Sequence, residues 1–232
     1  MKLLVVAATN TEIDGLIDWL KANFNPDTAQ TQFNSGSLHI DILITGVGIH
    51  ATTYTLTRQL LTHKYDHVLQ AGVGGSFDKS IELGAVVFVS SDLFADLGAE
   101  DKDNYLDIFE MGLIDDNTFP YTQGKLTVPH SEFHKLLGLK SVTGLTVNTV
   151  SGSTKTIASR TAKFGCAVES MEGAAFHYVC LQESIGFTQI RAISNYVTPR
   201  DKSLWKMKDA IISLNKVLIE LVQKLPHNTF TK

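Results

Sequence analysis

Apolar runs with the length of buried strands alternate along this chain with segments of helical periodicity, and this alternation constrains the fold most. Residues 2–8 form a nearly continuous apolar run, as expected for a strand covered on both faces. Apolar side chains then recur at helical spacing between residues 13 and 24. The same patterns predict strands at 38–45, 67–71, 84–90, 144–150 and 187–194, and helices at 51–63, 169–183 and 204–225. The predicted fold class is α/β: a three-layer α/β/α domain with a central, twisted, largely parallel mixed sheet.

A chain of 232 residues is short enough for one domain, and a single domain over 1–232 is predicted. In such folds ligands collect at the C-terminal ends of the parallel strands. Four segments lie at predicted strand ends: residues 8–12, 46–48, 72–76 and 194–200. We therefore expect them to share one site. The acidic, turn-rich region 91–140 is expected to be a long excursion that shapes the pocket beside it.

Charge and composition exclude several classes of partner. The chain has 20 lysines and arginines against 24 acidic residues, a net charge of −4, which disfavours nucleic acid and anionic membranes. The first apolar run is too short for a signal peptide, and no window approaches the roughly 18–20 apolar residues of a membrane span. Two cysteines suit a reducing compartment. A soluble, cytoplasmic protein is expected, with no membrane or nucleic-acid partner.

Two glycine segments, at 46–48 and 72–74, resemble the start of a dinucleotide-binding fingerprint. The third glycine is replaced by Ala51 in one segment and by Phe77 in the other, and neither has the ending of a phosphate-binding loop. Both are predicted to be tight strand-to-helix turns rather than cofactor loops. Close approach of the backbone to a small ligand remains compatible with that prediction.

Three further patterns carry no predicted chemistry. His130 and His134 have metal-ligand spacing on a helix but no evident third ligand, so a solvated helix face is favoured and no metal is expected. Residues 151–153 do not complete a nucleophile elbow. Cys180 is predicted to be a core residue.

The carboxylates at predicted helix starts have two readings each. Thr9 and Glu12 form a capping-box pattern, yet Glu12 is also the first carboxylate after the first strand, where a site would lie. Glu169 and Glu172 open a predicted helix, where the helix dipole favours acids. Sequence pattern alone leaves both a capping role and a catalytic role open.

Arg191 lies inside an apolar strand, where a cation is costly unless it is paired or binds a ligand. Strand alternation places Arg191, Ile193 and Asn195 on one face, opposite Ala192 and Ser194.

Taken in order, these segments resemble the nucleoside phosphorylase and hydrolase family, which includes the 5′-methylthioadenosine/S-adenosylhomocysteine nucleosidases. The resemblance covers almost the whole chain and rests on Glu12 and on residues 45–48, 71–75, 171–175 and 191–194, of which the last two segments are specific. Residues 148–152, 193–197 and 199–200 further resemble a branch of the family whose substrate carries hypoxanthine. The resemblance implies hydrolysis of a nucleoside without metal or organic cofactor, by a homodimer or larger homo-oligomer.

The resemblance also implies roles for individual residues. Glu12 would act as general base on the attacking water, with Arg191 helping to position it. Glu172 would accept hydrogen bonds from the 2′- and 3′-hydroxyls as positive charge develops on the ribose, and Met171 would pack against the sugar. The remaining residues expected to line the substrate are Gly72, Val73, Gly74 and Ser194.

Three departures from the family pattern bear on the expected substrate, the nucleophile and the role of Glu169. Asn195 stands where the methylthioadenosine nucleosidases have Asp, and an amide complements a 6-oxopurine, because its NH2 can donate to O6 and its oxygen can accept the proton that develops on N7. Val73 lacks the hydroxyl that many relatives use to hold water or phosphate. The chain also has only four arginines, so no arginine cluster for phosphate is evident. Both points favour water as the nucleophile. Ser170 is an insertion that leaves the role of Glu169 open.

Three alternatives remain open from the sequence. They are an adenine-specific nucleosidase, a purine nucleoside phosphorylase, and a nucleoside-binding module without catalysis.

Overall fold

A computed structural model describes residues 1–102, 104–129 and 133–225, without the side chain of His134. The predicted spacing of His130 and His134 therefore lies outside the described residues. The strands are β1 (Lys2–Ala7), β2 (Asn25–Pro26), β3 (Gln32–Ser35), β4 (Leu38–Ile44), β5 (His67–Ser76), β6 (Val86–Asp92), β7 (Gly98–Asp101), β8 (Asn104–Asp107), β9 (Leu126–Thr127), β10 (Lys140–Thr146), β11 (Val168–Ser170) and β12 (Phe187–Tyr196). The helices are α1 (Asn10–Asn23), α2 (Ile49–Thr62), α3 (Phe133–Leu137), α4 (Thr154–Phe164), α5 (Gly173–Gln182) and α6 (Met207–Lys224), with a 3₁₀ turn at Lys202–Leu204.

The central sheet has the strand order β11-β10-β6-β12-β5-β1-β4-β3-β2. Strands β4, β1, β5 and β12 pair in parallel, as do β6, β10 and β11. β12 meets β6 antiparallel, and β3 and β2 continue the edge beyond β4 antiparallel. The predicted mixed, largely parallel sheet is confirmed.

Helices cover both faces of this sheet, which confirms the three layers. Alternate residues of β1 explain the arrangement. Leu3, Val5 and Ala7 pack with the apolar faces of α1 and α6, whereas Leu4 and Val6 pack with α2 and α5. Strand β1 is buried on both faces, as its continuous apolar run predicts. Cys180 is 0% exposed in the second of these layers, so its predicted core position is confirmed.

The glycine segment at 72–75 does not form the predicted turn, because it continues β5 to Ser76. The prediction was wrong because these glycines serve close strand packing. A Cβ on Gly74 would lie 2.9 Å from Val168 Cγ1 and 3.1 Å from Glu169 O. The lengthened β5 also pairs antiparallel with β11. Strands β5, β12, β6, β10 and β11 therefore close into a ring that local sequence patterns did not indicate.

Of three other segments, one agrees with its prediction and two extend the predictions. The turn at Gly46 and Gly48 is confirmed, and both residues have positive φ angles of 85° and 94°, a conformation that favours glycine. Helix α4 was not predicted, since none of its residues is buried and most of them are polar. The excursion from 91 to 140 is structured in its described part, where β9 pairs with β6 and β7 with β8. Among the described residues, no helix is long and apolar enough to cross a membrane.

Candidate active site

Three charged side chains predicted from separate parts of the chain are buried together at one end of the parallel strands. Glu12 follows β1, Glu172 precedes α5 and Arg191 belongs to β12, with exposed fractions of 8%, 6% and 1%. Arg191 Nη1 lies 3.6 Å from Glu172 Oε2. Glu12 reaches the same guanidinium region across Gly72, since a Cβ there would overlap Arg191 Nη1 and lie 3.0 Å from Glu12 Oε1.

Glu12 makes the predicted capping contacts and also lies in the candidate site. Its Oε2 accepts hydrogen bonds from the Thr9 backbone N–H at 3.0 Å and the Thr9 hydroxyl at 3.1 Å, which confirms the capping box. Its Oε1 accepts from the Val73 N–H at 3.1 Å, in the glycine-containing half of β5. The capping contacts therefore hold the carboxylate in one orientation, with Oε1 directed towards Gly72 and Arg191.

Glu172 occupies the N-cap position of α5 but does not cap that helix with its side chain. Its Oε1 instead accepts from the Gly48 N–H at 3.0 Å, so the turn before α2 supplies a backbone donor to the site. Burial raises the pKa of Glu172 above its usual range, while the Arg191 charge and the Gly48 N–H oppose that increase. The carboxylate is thus held on one side and buried beside a cation on the other.

Glu169 lies in strand β11 rather than in the predicted helix, because antiparallel pairing with Gly75 of β5 extends this segment. It forms a separate cluster. Its carboxylate accepts from the Ser151 N–H at 2.8 Å and hydroxyl at 2.6 Å, and from Arg160 Nη1 at 3.1 Å. Arg160 also donates to the Thr149 carbonyl at 3.0 Å. Glu169 therefore orders the loop after β10, and its contacts are separate from those of Glu172.

Two buried amides beside Arg191 were not predicted. Arg191 Nη2 donates to Gln70 Oε1 at 3.0 Å, and Arg191 Nε donates to Gln189 Oε1 at 3.1 Å in the amide orientation that satisfies all neighbours of Gln189. Gln70 lies on β5 opposite Gln189 of β12, and Gly72 lies opposite Arg191. Strand alternation could have placed Gln189 with Arg191, but the pairing with β5 cannot be read from the sequence.

Asn195 lies at the end of β12, where its amide has fixed local partners. The single proton of the Ser194 hydroxyl is shared between Asn195 Oδ1 at 2.9 Å and the Gly74 carbonyl at 3.2 Å. Asn195 Nδ2 donates to the Tyr196 carbonyl at 3.0 Å. The expected alternation does not continue beyond Ile193, because a bulge there leaves Ser194 outside the pairing with β5.

The other expected substrate-lining residues lie on the same elements. Gly72, Val73 and Gly74 are consecutive in β5, and Val73 and Met171 are half-buried. Met171 lies between β11 and Glu172. The described structure therefore brings the predicted residues to neighbouring elements around Glu12, Glu172 and Arg191.

The fold and this site define a class of protein. Residues 2–225 match the Phosphorylase superfamily, and the chain belongs to that superfamily. It is 31% identical over 183 residues to futalosine hydrolase from Thermus thermophilus, covering 78% of this chain and 80% of that protein. It is 24% identical to the 5′-methylthioadenosine/S-adenosylhomocysteine nucleosidase from Colwellia psychrerythraea, covering 97% of each. The predicted family is confirmed.

Solved structures show the same fold. A futalosine hydrolase mutant from Helicobacter pylori matches with a TM-score of 0.78 and 16% identity, covering 97% of this chain and 99% of that one. The Colwellia psychrerythraea nucleosidase in complex with adenine matches with a TM-score of 0.77 and 21% identity, covering 97% and 96%. At these identities the likeness concerns the fold alone.

Proposed function

We propose that this chain is an N-glycosidic nucleoside hydrolase that converts futalosine into hypoxanthine and dehypoxanthine futalosine, a step of menaquinone biosynthesis. The observation that carries this proposal is the buried group of Glu12, Glu172 and Arg191, together with the amide of Asn195 at the end of β12. The similarity to futalosine hydrolase from Thermus thermophilus supports the choice of substrate.

The charge of the site favours hydrolysis over phosphorolysis. Two carboxyl groups and a single guanidinium make up this buried group, and an excess of acidic over basic groups disfavours phosphate and favours a cationic ribosyl transition state. Arg191 is already engaged by Gln70 and Glu172, and Arg160 is paired with Glu169. Val73 offers no hydroxyl to a phosphate oxygen. Water is therefore the nucleophile that this site accommodates.

Glu12 supplies the base in this mechanism. Its Oε2 is held by Thr9, so its Oε1 can take a proton from a water that attacks the anomeric carbon. Arg191, beyond Gly72, orients that water. General-base assistance of this kind contributes about 10²–10⁴-fold in rate.

Glu172 and Met171 bind the sugar in this scheme. The carboxylate of Glu172 accepts hydrogen bonds from the ribose 2′- and 3′-hydroxyls, and these strengthen as the ring becomes positive. Its anchoring by the Gly48 N–H at 3.0 Å means that little rearrangement is needed at that moment. Met171 precedes it and packs against the sugar, while Gly72 and Gly74 allow close approach to β5.

Asn195 selects the base. Donation from Ser194 to Oδ1 leaves a second lone pair on that oxygen for the proton that purine N7 takes up from solvent as the glycosidic bond breaks. One Nδ2 proton binds the Tyr196 carbonyl, and the other is available to purine O6. This pattern matches hypoxanthine, whereas adenine presents a donor at position 6.

The test is base release from futalosine, inosine and methylthioadenosine, each with and without phosphate. The proposal expects hypoxanthine from futalosine at a rate independent of phosphate. Preferential release of adenine would establish a methylthioadenosine-type nucleosidase instead. Strict dependence on phosphate would establish a phosphorylase. Binding of nucleosides without turnover would indicate a binding module.

The homodimer or larger assembly is part of the proposal. Its support is an exposed row on one side of α2 and its preceding turn, formed by Val47, Tyr54 and Leu61 at intervals of seven residues, with exposed fractions of 49%, 64% and 66%. An apolar row of this kind favours burial against a partner. Light scattering of the purified protein tests this, and a monomer at micromolar concentration would contradict it. The cytoplasmic location stays a prediction.

A further inference from the structure

A continuous row of buried hydrogen bonds lies behind the guanidinium of Arg191. His177 Nδ1 contacts the Leu126 carbonyl at 2.9 Å. In its satisfied orientation, the Gln189 amide nitrogen donates to His177 Nε2 at 2.6 Å, and its oxygen accepts from Arg191 Nε at 3.1 Å. His177 and Gln189 are both 0% exposed. The row therefore connects β9, α5 and β12 without solvent.

The groups at the two ends of this row allow only one assignment of donors and acceptors along it. The Leu126 carbonyl can only accept, so His177 carries its proton on Nδ1 and presents a lone pair at Nε2. Burial lowers the pKa of His177 to about 4, which keeps it neutral at physiological pH. Gln189 must then direct its nitrogen towards His177 and its oxygen towards Arg191. Asp92 Oδ2, 3.3 Å from the same nitrogen, favours the same orientation.

The orientation of Gln189 in turn fixes the guanidinium. Gln189 holds Nε, Gln70 holds Nη2 at 3.0 Å, and Nη1 lies 3.6 Å from Glu172. Hydrogen bonds at Nε and at Nη2 hold one edge of the planar guanidinium and restrict its rotation. Without Gln189, Nε would lose its acceptor in a buried site, and the guanidinium would be held only through Gln70 and Glu172.

We propose that Gln189, oriented by His177, is a positioning residue that sets the plane of the Arg191 guanidinium towards the nucleophilic water. This inference rests on the proposed hydrolase function. It concerns residues that do not themselves touch the substrate. His177 therefore acts on catalysis through two hydrogen bonds rather than as an acid or base.

The first test removes the amide. Gln189→Met keeps the length of the side chain but provides neither donor nor acceptor. We expect kcat for futalosine to fall about 10–100-fold while KM changes less than threefold, because Glu172 and Asn195 still bind the substrate. Gln59→Met is the matched control, since Gln59 of α2 donates to Tyr65, away from the site, and the kcat of this variant should equal that of the wild type.

The second test uses an isosteric variant whose kcat, relative to that of the wild type, should depend on pH. Gln189→Glu retains an acceptor for Arg191 but directs a second carboxylate oxygen at the His177 lone pair. The charged groups that face His177 and Gln189 there are Asp92 from β6 and Arg191 from β12. Protonated His177 would restore the hydrogen bond. The ratio of kcat in this variant to kcat in the wild type should therefore increase as the pH falls.

Two results would overturn the inference: a folded Gln189→Met variant with wild-type kcat, or a kcat ratio for Gln189→Glu that does not change with pH. A measurement on the free protein distinguishes failure of this inference from failure of the proposed function. The Nε–H of Arg191 should give a slowly exchanging NMR signal that is lost in Gln189→Met and kept in Gln59→Met. If the wild type releases no base, the function fails while this signal still tests the positioning of Arg191.

Discussion

Replacing Gly72 by alanine tests whether close packing of β5 on β12 creates the site. A Cβ at this position would overlap Arg191 Nη1 and lie 3.0 Å from Glu12 Oε1. Ordinary contacts begin at about 3.5 Å, so the guanidinium must retreat by roughly 1 Å. A displacement of this size in a catalytic group can reduce the rate about 10²-fold.

The same displacement affects stability. Retreat of the guanidinium breaks its 3.0 Å hydrogen bond to Gln70, which is 2% exposed. An unsatisfied buried polar group costs about 1–3 kcal/mol, so the free energy of unfolding of Gly72→Ala should fall by that amount. Urea denaturation measures this loss, and steady-state hydrolysis of futalosine on the folded fraction measures the loss of rate.

Gly186→Ala is the matched control, because it makes the same substitution just before β12, at the end opposite the site. Its Cβ would lie 3.3 Å from His67 Nδ1, so a small loss of stability is expected with kcat/KM unchanged. Wild-type kcat/KM in folded Gly72→Ala would refute the argument that this glycine exists to admit Arg191 and Glu12.

Three further predictions concern the carboxylates and the amide. Asn195→Asp should lower kcat/KM for futalosine about 10–100-fold and raise the relative rate with methylthioadenosine; an unchanged preference in competition assays would contradict base selection by Asn195. Glu172→Gln should lower kcat/KM about 10²-fold with little change in melting temperature, since the amide oxygen can still accept from the Gly48 N–H; wild-type kinetics would remove Glu172 from the mechanism. Burial raises the pKa of Asp92 from 3.8 to about 6, so the folded state holds this proton more tightly than the unfolded chain. Its contribution to stability is then present below about pH 4 and is lost, by roughly 3 kcal/mol, as the pH rises through about 6. Urea denaturation across this range should show a smaller decline in Asp92→Asn, and identical pH profiles would contradict the shift.

Local patterns were sufficient where a residue's surroundings are set by its own segment. The run of residues 2–8 predicts β1, because burial on both faces requires continuous apolar side chains. The Thr9–Glu12 pattern predicts the capping box, since its contacts lie within one helical turn. The positions of Gly46 and Gly48 follow from the need for positive φ angles before α2.

Local patterns were insufficient where the partner comes from a distant strand. The sequence of segment 72–75 predicts a turn, and only the structure shows that Arg191 and Val168 lie against this segment. The sequence predicts Glu169 at the start of a helix, and only the structure shows that it lies in β11, which pairs with β5. Gln70 and Gln189 lie in apolar strands, and their role depends on which strands become neighbours. These long-range strand pairings determine which residues lie together inside the site.

The role of Glu12 as general base is tested by comparing the Glu12→Gln variant with the wild type in phosphate-free buffer. The substitution keeps the size of the side chain, but an amide cannot act as a general base. We expect the wild type to release hypoxanthine from futalosine without phosphate, and Glu12→Gln to lose at least about 10²-fold in kcat while still binding hypoxanthine. Equal turnover in the two proteins, or base release only when phosphate is added, would contradict it.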